Sequence, residues 1–460
     1  MKRFFLLMLV VAASTANADD AKTGQWKVGC ARVSITPRRP IVLLGYGERT
    51  RPFDSVAQDI HAKAMAIEDP EGRRAVIVTA DLVGFQAAVV TNTVCARIAE
   101  ETGLKRSQLL FNASHSHNGP LVSLDPWSEA NAVAHAPLSS GDRKETIAYT
   151  RDLQDKLVVL VGKALAALQP AQLNWGKGEV GFPMNRRLPR DGRVVMAENP
   201  EGTMDRSVPV LCAATPEGKV QAVLFGCACH NVTLTGADNV IAGDYAGFAQ
   251  AHLEARYRGA QAMFMSGCGG DANPSPRGSM ALAMQHGATL GTEVARIVAE
   301  SLRPVQGDLG TTYEMVELPV QSLSKAEIEE RTKLPSAEAV MALHMLRVLE
   351  AGQTLPKSYA APLAVWQFGR AFTLVALPAE PVAKYVDLIE AALPNHALWI
   401  AGYNNDCFGY LPTAQVVNEG GHENIGITLW IWGQNLQQNA GFFAPSVEQA
   451  VIDAVVRMAG

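Results

Sequence analysis

The sequence predicts a mixed α/β fold built as one large domain, and three observations carry that reading. Short apolar runs that read as buried strands alternate with longer segments whose apolar residues recur at helical spacing. Five of these runs empty into polar, glycine-bearing loops. No repeat, low-complexity segment or long linker interrupts the 460 residues, a length sufficient for a sizeable core.

In chain order, residues 1–18 read as a signal peptide. Lys2-Arg3 precede the apolar stretch Phe4–Ala13, and Ala16-Asn17-Ala18 has the small-x-small form of a cleavage site. The expectation is an exported protein, periplasmic or secreted, cut before Asp19, with no later transmembrane anchor. Ala75–Ala80 is a buried strand ending at Asp81, and Leu109-Leu110-Phe111 is the first strand that leads to a candidate site. The spacing of Leu153, Leu157, Leu160, Val161, Ala164 and Leu168 predicts a helix from about Lys144 to Leu168, stopped by Pro170. Met184–Asp205, rich in Arg, Pro, Gly and Asp, reads as a long loop. Strands follow at Val223–Phe225, Ala262–Met265, Phe372–Leu377 and Leu398–Ile400. Helices are expected over Tyr245–Tyr257, Met280–Leu302, from Pro335 through Leu349, and over Ser446–Met458; Ser324-x-x-Glu327 has the form of a capping box.

The formal charge of −5 and the pI near 6.1 argue against a nucleic-acid surface, and there is no basic stripe. Seven cysteines leave at least one thiol unpaired in a monomer. Cys227, Cys229, Cys268 and Cys407 sit in candidate site loops, where small packing residues or a single bridge are the plain reading and thiolate–metal binding the sharper one. Gly-Cys-Gly-Gly-Asp lacks the spacing of a dinucleotide or phosphate loop.

Chemistry concentrates in the five loops. Asn-Ala-Ser-His-Ser-His-Asn-Gly-Pro (112–120) follows the first run, and Gly-Cys-Ala-Cys-His-Asn-Val-Thr (226–233) the second. Ser-Gly-Cys-Gly-Gly-Asp-Ala-Asn-Pro (266–274), Pro-Ala-Glu (378–380) and Gly-Tyr-Asn-Asn-Asp-Cys-Phe-Gly-Tyr-Leu-Pro-Thr (402–413) follow the others. In sheets with helical crossovers, ligands gather beyond such strand ends. On extended backbone His115 and His117 would point to opposite faces. They can face one site only if the strand breaks, as Asn118-Gly119-Pro120 suggests. The sequons at Asn112 and Asn231 fall inside these loops and read as coincidence.

Taken in order, Leu-Leu-Gly-Tyr-Gly (43–47), Thr-Ala-Asp-Leu (79–82), the His-x-His loop, Cys-His then Gly-Asp-Tyr-Ala-Gly (243–247), Gly-Gly-Asp-Ala-Asn-Pro, Pro-Ala-Glu and Phe-Gly-Tyr-Leu-Pro-Thr resemble the neutral/alkaline ceramidase catalytic domain. The likeness is greatest to its shorter bacterial relatives, which lack the C-terminal β-sandwich domain, and runs from about Cys30 to the C-terminus. The resemblance implies one Zn²⁺ per chain, held by His115, His230, Glu380 and Tyr410, with an open position for water. It implies that His117 and Arg186 (or its neighbour Arg187) position the scissile carbonyl and its oxyanion. Gly45 and His422 would lie against the substrate, and Asp244 would orient His230 or close its loop. Asp271 and Asn273 belong to the loop that would floor the pocket, with Asn273 where the family carries a serine; a serine-nucleophile scheme therefore does not carry over, whereas metal-activated water does not need that serine. The implied activity is hydrolysis of an N-acyl amide, from a lipid or a smaller compound. An esterase or lactonase on the same zinc site, and a non-catalytic metal-stabilised envelope binding protein, remain the alternatives.

Overall fold

The computed structural model describes residues 25–125, 138–334, 338–427 and 441–460. Residues 1–18, expected to be a signal peptide, and the first residues of the helix expected after Pro335 lie outside the described residues.

The chain builds one unit three times. The first comprises β1 (Lys27–Ser34), β2 (His61–Glu68), β3 (Arg74–Ala80), α1 (Asn92–Thr102), β4 (Leu109–Ala113) and α2 (Ser140–Ala166). The second comprises β5 (Gln172–Glu179), β6 (Ser207–Ala214), β7 (Val220–Cys227), α3 (Asp244–Arg256), β8 (Gln261–Ser266) and α4 (Met280–Glu300). The third comprises β9 (Leu309–Pro319), β10 (Ser358–Phe368), β11 (Phe372–Ala376), α5 (Lys384–Ala392), β12 (Leu398–Ala401) and α6 (Val447–Ala459). In each sheet two antiparallel pairings are followed by one parallel pair, β3/β4, β7/β8 or β11/β12, joined by a helical crossover.

These strands are buried on both faces, which is why they read as continuous apolar runs. Their alternation divides the side chains between two layers. Ile77, Leu110, Leu224, Met263, Leu374 and Trp399 enter one central core shared by all three sheets. Val76, Val78 and Phe111 face α1 and α2; Val223 and Phe225 face α3 and α4; Val375 faces the helices of the third unit. Trp175 stacks on Phe372 at 4.3 Å across the second and third sheets.

The expected strands are all present. The helix expected from Lys144 begins at Ser140, because Ser139 caps a polar first turn by accepting from Asp142 N–H. The capping box at Ser324 and Glu327 forms as expected. The stretch Met184–Asp205 is not a plain loop: Arg187–Arg190 and Arg193–Met196 form a hairpin. Its turn is Asp191-Gly192, with φ of 52° and 73°, and the Asp-Gly signal was there to be read. All seven cysteines are free, so no bridge forms. Asn112 and Asn231 are fully buried, which rules out both sequons as accessible sites. No helix among the described residues is long and apolar enough to cross a membrane.

The three parallel pairs end at one place, tied by buried amides. Asn112, at the end of β4, accepts from Ser266 N–H of β8 at 2.9 Å and donates to Gly402 O at 2.8 Å and Asn404 Oδ1 at 3.0 Å. Asn404 donates to Leu377 O at 3.1 Å, and Ser266 Oγ to Ala113 O at 2.9 Å. Asn112→Ala strands these partners without water and should cost on the order of 2–4 kcal/mol of unfolding free energy. Urea unfolding checks this, and a loss below about 0.5 kcal/mol, the level of ordinary surface changes, would show the tie to be dispensable.

Candidate metal centre

β4 stops at Ala113, and His115 takes a left-handed backbone, φ 62°. That break turns the His-x-His pair so that both rings converge, with His115 Nε2 and His117 Nε2 3.0 Å apart. His117 N–H donates to Asn231 O at 3.2 Å, which fastens this loop to the one carrying His230. Glu380 follows Ala379, also left-handed at φ 59°, and pairs in a short parallel ladder with Tyr410. Tyr403 and Asn405 share the conformation, at φ 57° and 64°. Each such non-glycine residue costs of order 1–3 kcal/mol, and strain of this kind concentrates at functional sites.

The ring nitrogens are pre-set as ligands. His115 Nδ1 and His230 Nδ1 each lie 2.7 Å from a backbone oxygen, of Val83 and Gly269. A carbonyl can only accept, so both Nδ1 atoms carry the proton and both Nε2 atoms present lone pairs. Glu380 Oε2 lies 3.3 Å from His115 Nε2 and 3.2 Å from His230 Nε2. Glu380 Oε2 and His230 Nε2 are buried with no hydrogen-bond partner among the described residues. Burial penalises charge on His230 and His117, and Arg186 adds to this at His230, so His230 falls to about 3 and His117 well below its ordinary value. Burial would raise the Glu380 carboxyl, and only positive charge where His115 and His230 face it, on protonated rings or on a cation bound between them, would hold it well below the carboxylate range. Neutral imidazoles beside an ionised carboxylate are a donor set for a divalent cation. His117 brings a third imidazole into the cluster.

Of the four cysteines in site loops, Cys407 alone approaches, its thiol within 4.8 Å of the ligand atoms of His115 and Glu380. Burial pushes that thiol well up, which keeps it protonated. Tyr403 packs against His115, ring centres 4.5 Å apart, with its hydroxyl buried and unpartnered. Nothing in its sequence context singled it out.

The remaining expected residues sort by their contacts. Tyr410 stacks against His230 at 6.3 Å and accepts a hydrogen bond from Arg186 Nη2 at 2.9 Å. Arg186 also donates to Asn273 Oδ1 at 3.1 Å and Gly270 O at 2.8 Å, which settles which of the two arginines adjoins the cluster. Arg187 turns away, to Glu419 and Gly420 O. Glu423, missed in the sequence, binds both, accepting from Arg186 Nε at 2.8 Å and Arg187 Nη1 at 2.7 Å. Gly45, at φ 109°, lies against the His117 ring, and a Cβ there would come within 2.4 Å of its Cγ. His422 meets the Tyr410 ring edge-on at 5.2 Å.

Asp271 accepts from Ala383 N–H at 2.7 Å and Asn185 Nδ2 at 3.2 Å, joining the segment after Glu380 to the residue that precedes Arg186. Asp244 does not orient His230, whose Nδ1 is taken by Gly269 O. It closes the loop instead, accepting from Leu234 and Tyr245 N–H.

A family model described as neutral/alkaline non-lysosomal ceramidase, N-terminal, matches residues 26–292. The chain belongs to this family. Neutral ceramidase of Pseudomonas aeruginosa is 25% identical over 284 residues, 58% of this chain and 39% of that protein. Neutral ceramidase of Mycobacterium tuberculosis is 26% identical over 226 residues, 47% of this chain and 34% of that one. The chain thus spans well under half the length of these curated ceramidases. The crystal structure of the P. aeruginosa ceramidase superposes with a TM-score of 0.69 at 20% identity, over 95% of this chain and 74% of the other. A structure described as ceramidase complexed with C2 gives 0.69 at 18% identity, over 95% and 75%. Both show that this chain has the ceramidase fold.

Burial opposes ionisation of Glu423, but Arg186, His422 and Arg187 bring its carboxyl from 4.5 down to about 2. A depressed folded-state value contributes stability above the unfolded value, and that stability is lost as pH falls from 4.5 toward 2. The contribution is on the order of 3 kcal/mol. Glu423→Gln should lower stability at pH 7 by about 3–5 kcal/mol, because two buried guanidiniums lose their counter-charge. It should also flatten the stability profile between pH 5 and 3, read by urea unfolding at each pH (roughly the range over which a paired carboxylate titrates).

Proposed function

We propose that this chain is an exported zinc-dependent amidohydrolase of the ceramidase family that cleaves an N-acyl amide. The observation that carries this reading is the pair of buried, unpartnered donor atoms, His230 Nε2 and Glu380 Oε2, meeting His115 Nε2. Three desolvated lone-pair donors this close are costly without a cation among them. His115, His230, Glu380 and Tyr410 would hold Zn²⁺, which supplies a water with pKa near 7 and polarises a carbonyl.

The chain's own residues then do the following. His117 Nε2–H, at 3.0 Å from His115 Nε2, is placed to donate to the oxygen of the reacting carbonyl as charge develops there. Gly45 lets that ring seat, and Tyr46 meets it edge-on at 5.0 Å. Arg186, locked by Glu423 and Gly270 O, holds the Tyr410 hydroxyl and the Asn273 side chain in place; burial pushes the phenol well up, and Arg186 offsets part of that. Asn273 presents an amide where a nucleophile would otherwise be needed, so the attacking group is water. The proton that the attacking water gives up must reach the leaving amine, and His117 is the nearest imidazole outside the proposed ligand set to relay it.

Metal analysis of the mature protein beside His230→Ala, with a fluorescent N-acyl amide panel on both, tests the reading. Expected are about one zinc per chain and turnover, both lost in the variant. Turnover that survives removal of the metal would contradict it. N-terminal sequencing of protein recovered from the expressing cells' envelope or medium should begin at Asp19, and an intact Met1 there would contradict export with cleavage.

A further inference from the structure

Arg277 stands at the rim of the cluster, exposed yet fixed. Its Nε donates to Val232 O at 2.7 Å, two residues beyond His230, and its Nη2 to the Tyr46 hydroxyl at 3.0 Å. Tyr46 is itself anchored, donating to Leu234 O at 2.6 Å, and its ring lies against His117. The guanidinium is therefore one tyrosine ring away from His117.

Among the described residues the hydrogen bonds of Arg277 go to neutral oxygens only. Asp244, which feels the charge of Arg277, is fully buried with its oxygens taken by Leu234 and Tyr245 N–H, and Glu48 lies beside Tyr46. Arg49, over the Tyr46 ring at 4.7 Å, is likewise bonded to carbonyls: His117 O, Gly236 O, Thr235 O and Asp238 O. This side of the site thus carries two guanidiniums bonded to no carboxylate. Arg277 keeps its Nη1 N–H groups free of described partners, in the planar fork that suits a carboxylate.

We propose that Arg277 binds an anionic group of the substrate, so that the preferred substrates are N-acyl amines bearing a carboxylate beside the amide, that is N-acyl amino acids, over neutral N-acyl amino alcohols. The proposal rests on the hydrolase reading of the site and adds the substrate class. Zinc-loaded protein is assayed with N-lauroyl glycinate and N-lauroyl ethanolamine, which share one acyl chain. Wild type should favour the glycinate in kcat/KM by about tenfold or more, the scale of a charge-assisted contact. Arg277→Gln should bring the ratio near unity, mainly through KM, and Arg277→Lys should retain part of it. A ratio near unity in wild type, or one that Arg277→Gln leaves unchanged, overturns the proposal. Calorimetric binding of the same two compounds separates the two claims. Tighter glycinate binding that depends on Arg277 upholds the substrate class even without turnover, and absence of that dependence sinks it.

Discussion

The fold hangs on a set of buried amide hydrogen bonds where three sheets end together. Asn112, Ser266 and Asn404 belong to three different units: Asn112 and Ser266 each complete the hydrogen bonding of another unit's backbone, and Asn404 joins the Asn112 side chain to Leu377 O of its own. Strand ends normally shed their unpaired groups into water. Here they are enclosed, so side-chain amides must supply the partners, and in a low dielectric an unfilled position is expensive. This constraint fixes the relative height of the loops above it. His115 leaves from β4, His230 from β7 and Glu380 from β11, one from each unit. Their meeting is a consequence of the threefold arrangement.

Electrostatics then divides the space above the tie. On one side stand His230 and His117, held neutral by burial, and a buried carboxylate, Glu380, that its lone-pair-bearing neighbours leave without a counter-charge. On the other stand Arg186 and Arg187, buried and balanced by Glu423. Tyr410 lies between the two, stacked on His230 and bonded to Arg186. A phenol in that position is pulled toward ionisation by the guanidinium and away from it by burial. A cation among the lone pairs would tip that balance, which is how a tyrosine becomes a ligand.

Much of this was legible in the chain. The apolar runs announced the inner strands because both faces are buried, and glycine-bearing polar loops after them marked the site. Three things were not legible, each for a physical reason. The threefold repeat is carried by pairing order, and its sequence trace shrinks to Leu-x-Pro-x-Gln at 168–172 and 302–306, where each chain leaves its long helix and adds a short edge strand to its sheet. Glu423 is 237 residues from Arg186 along the chain, and two adjacent arginines signal a counter-charge without saying where it lies. The shared face of His115 and His117 depends on one left-handed residue, and no propensity places a histidine there. Of the two roles expected of Asp244, it closes the loop and does not orient His230, because Gly269 O takes the ring's Nδ1.

The most direct test of the central claim is X-ray absorption at the zinc edge on the reconstituted protein. The account predicts a single nitrogen and oxygen shell near about 2.0–2.1 Å, with outer-shell scattering from imidazole and no sulfur. A sulfur shell near about 2.3 Å would move Cys407 into the ligand set and contradict the assignment of His115, His230, Glu380 and Tyr410. Failure to retain any zinc would contradict the metal centre itself.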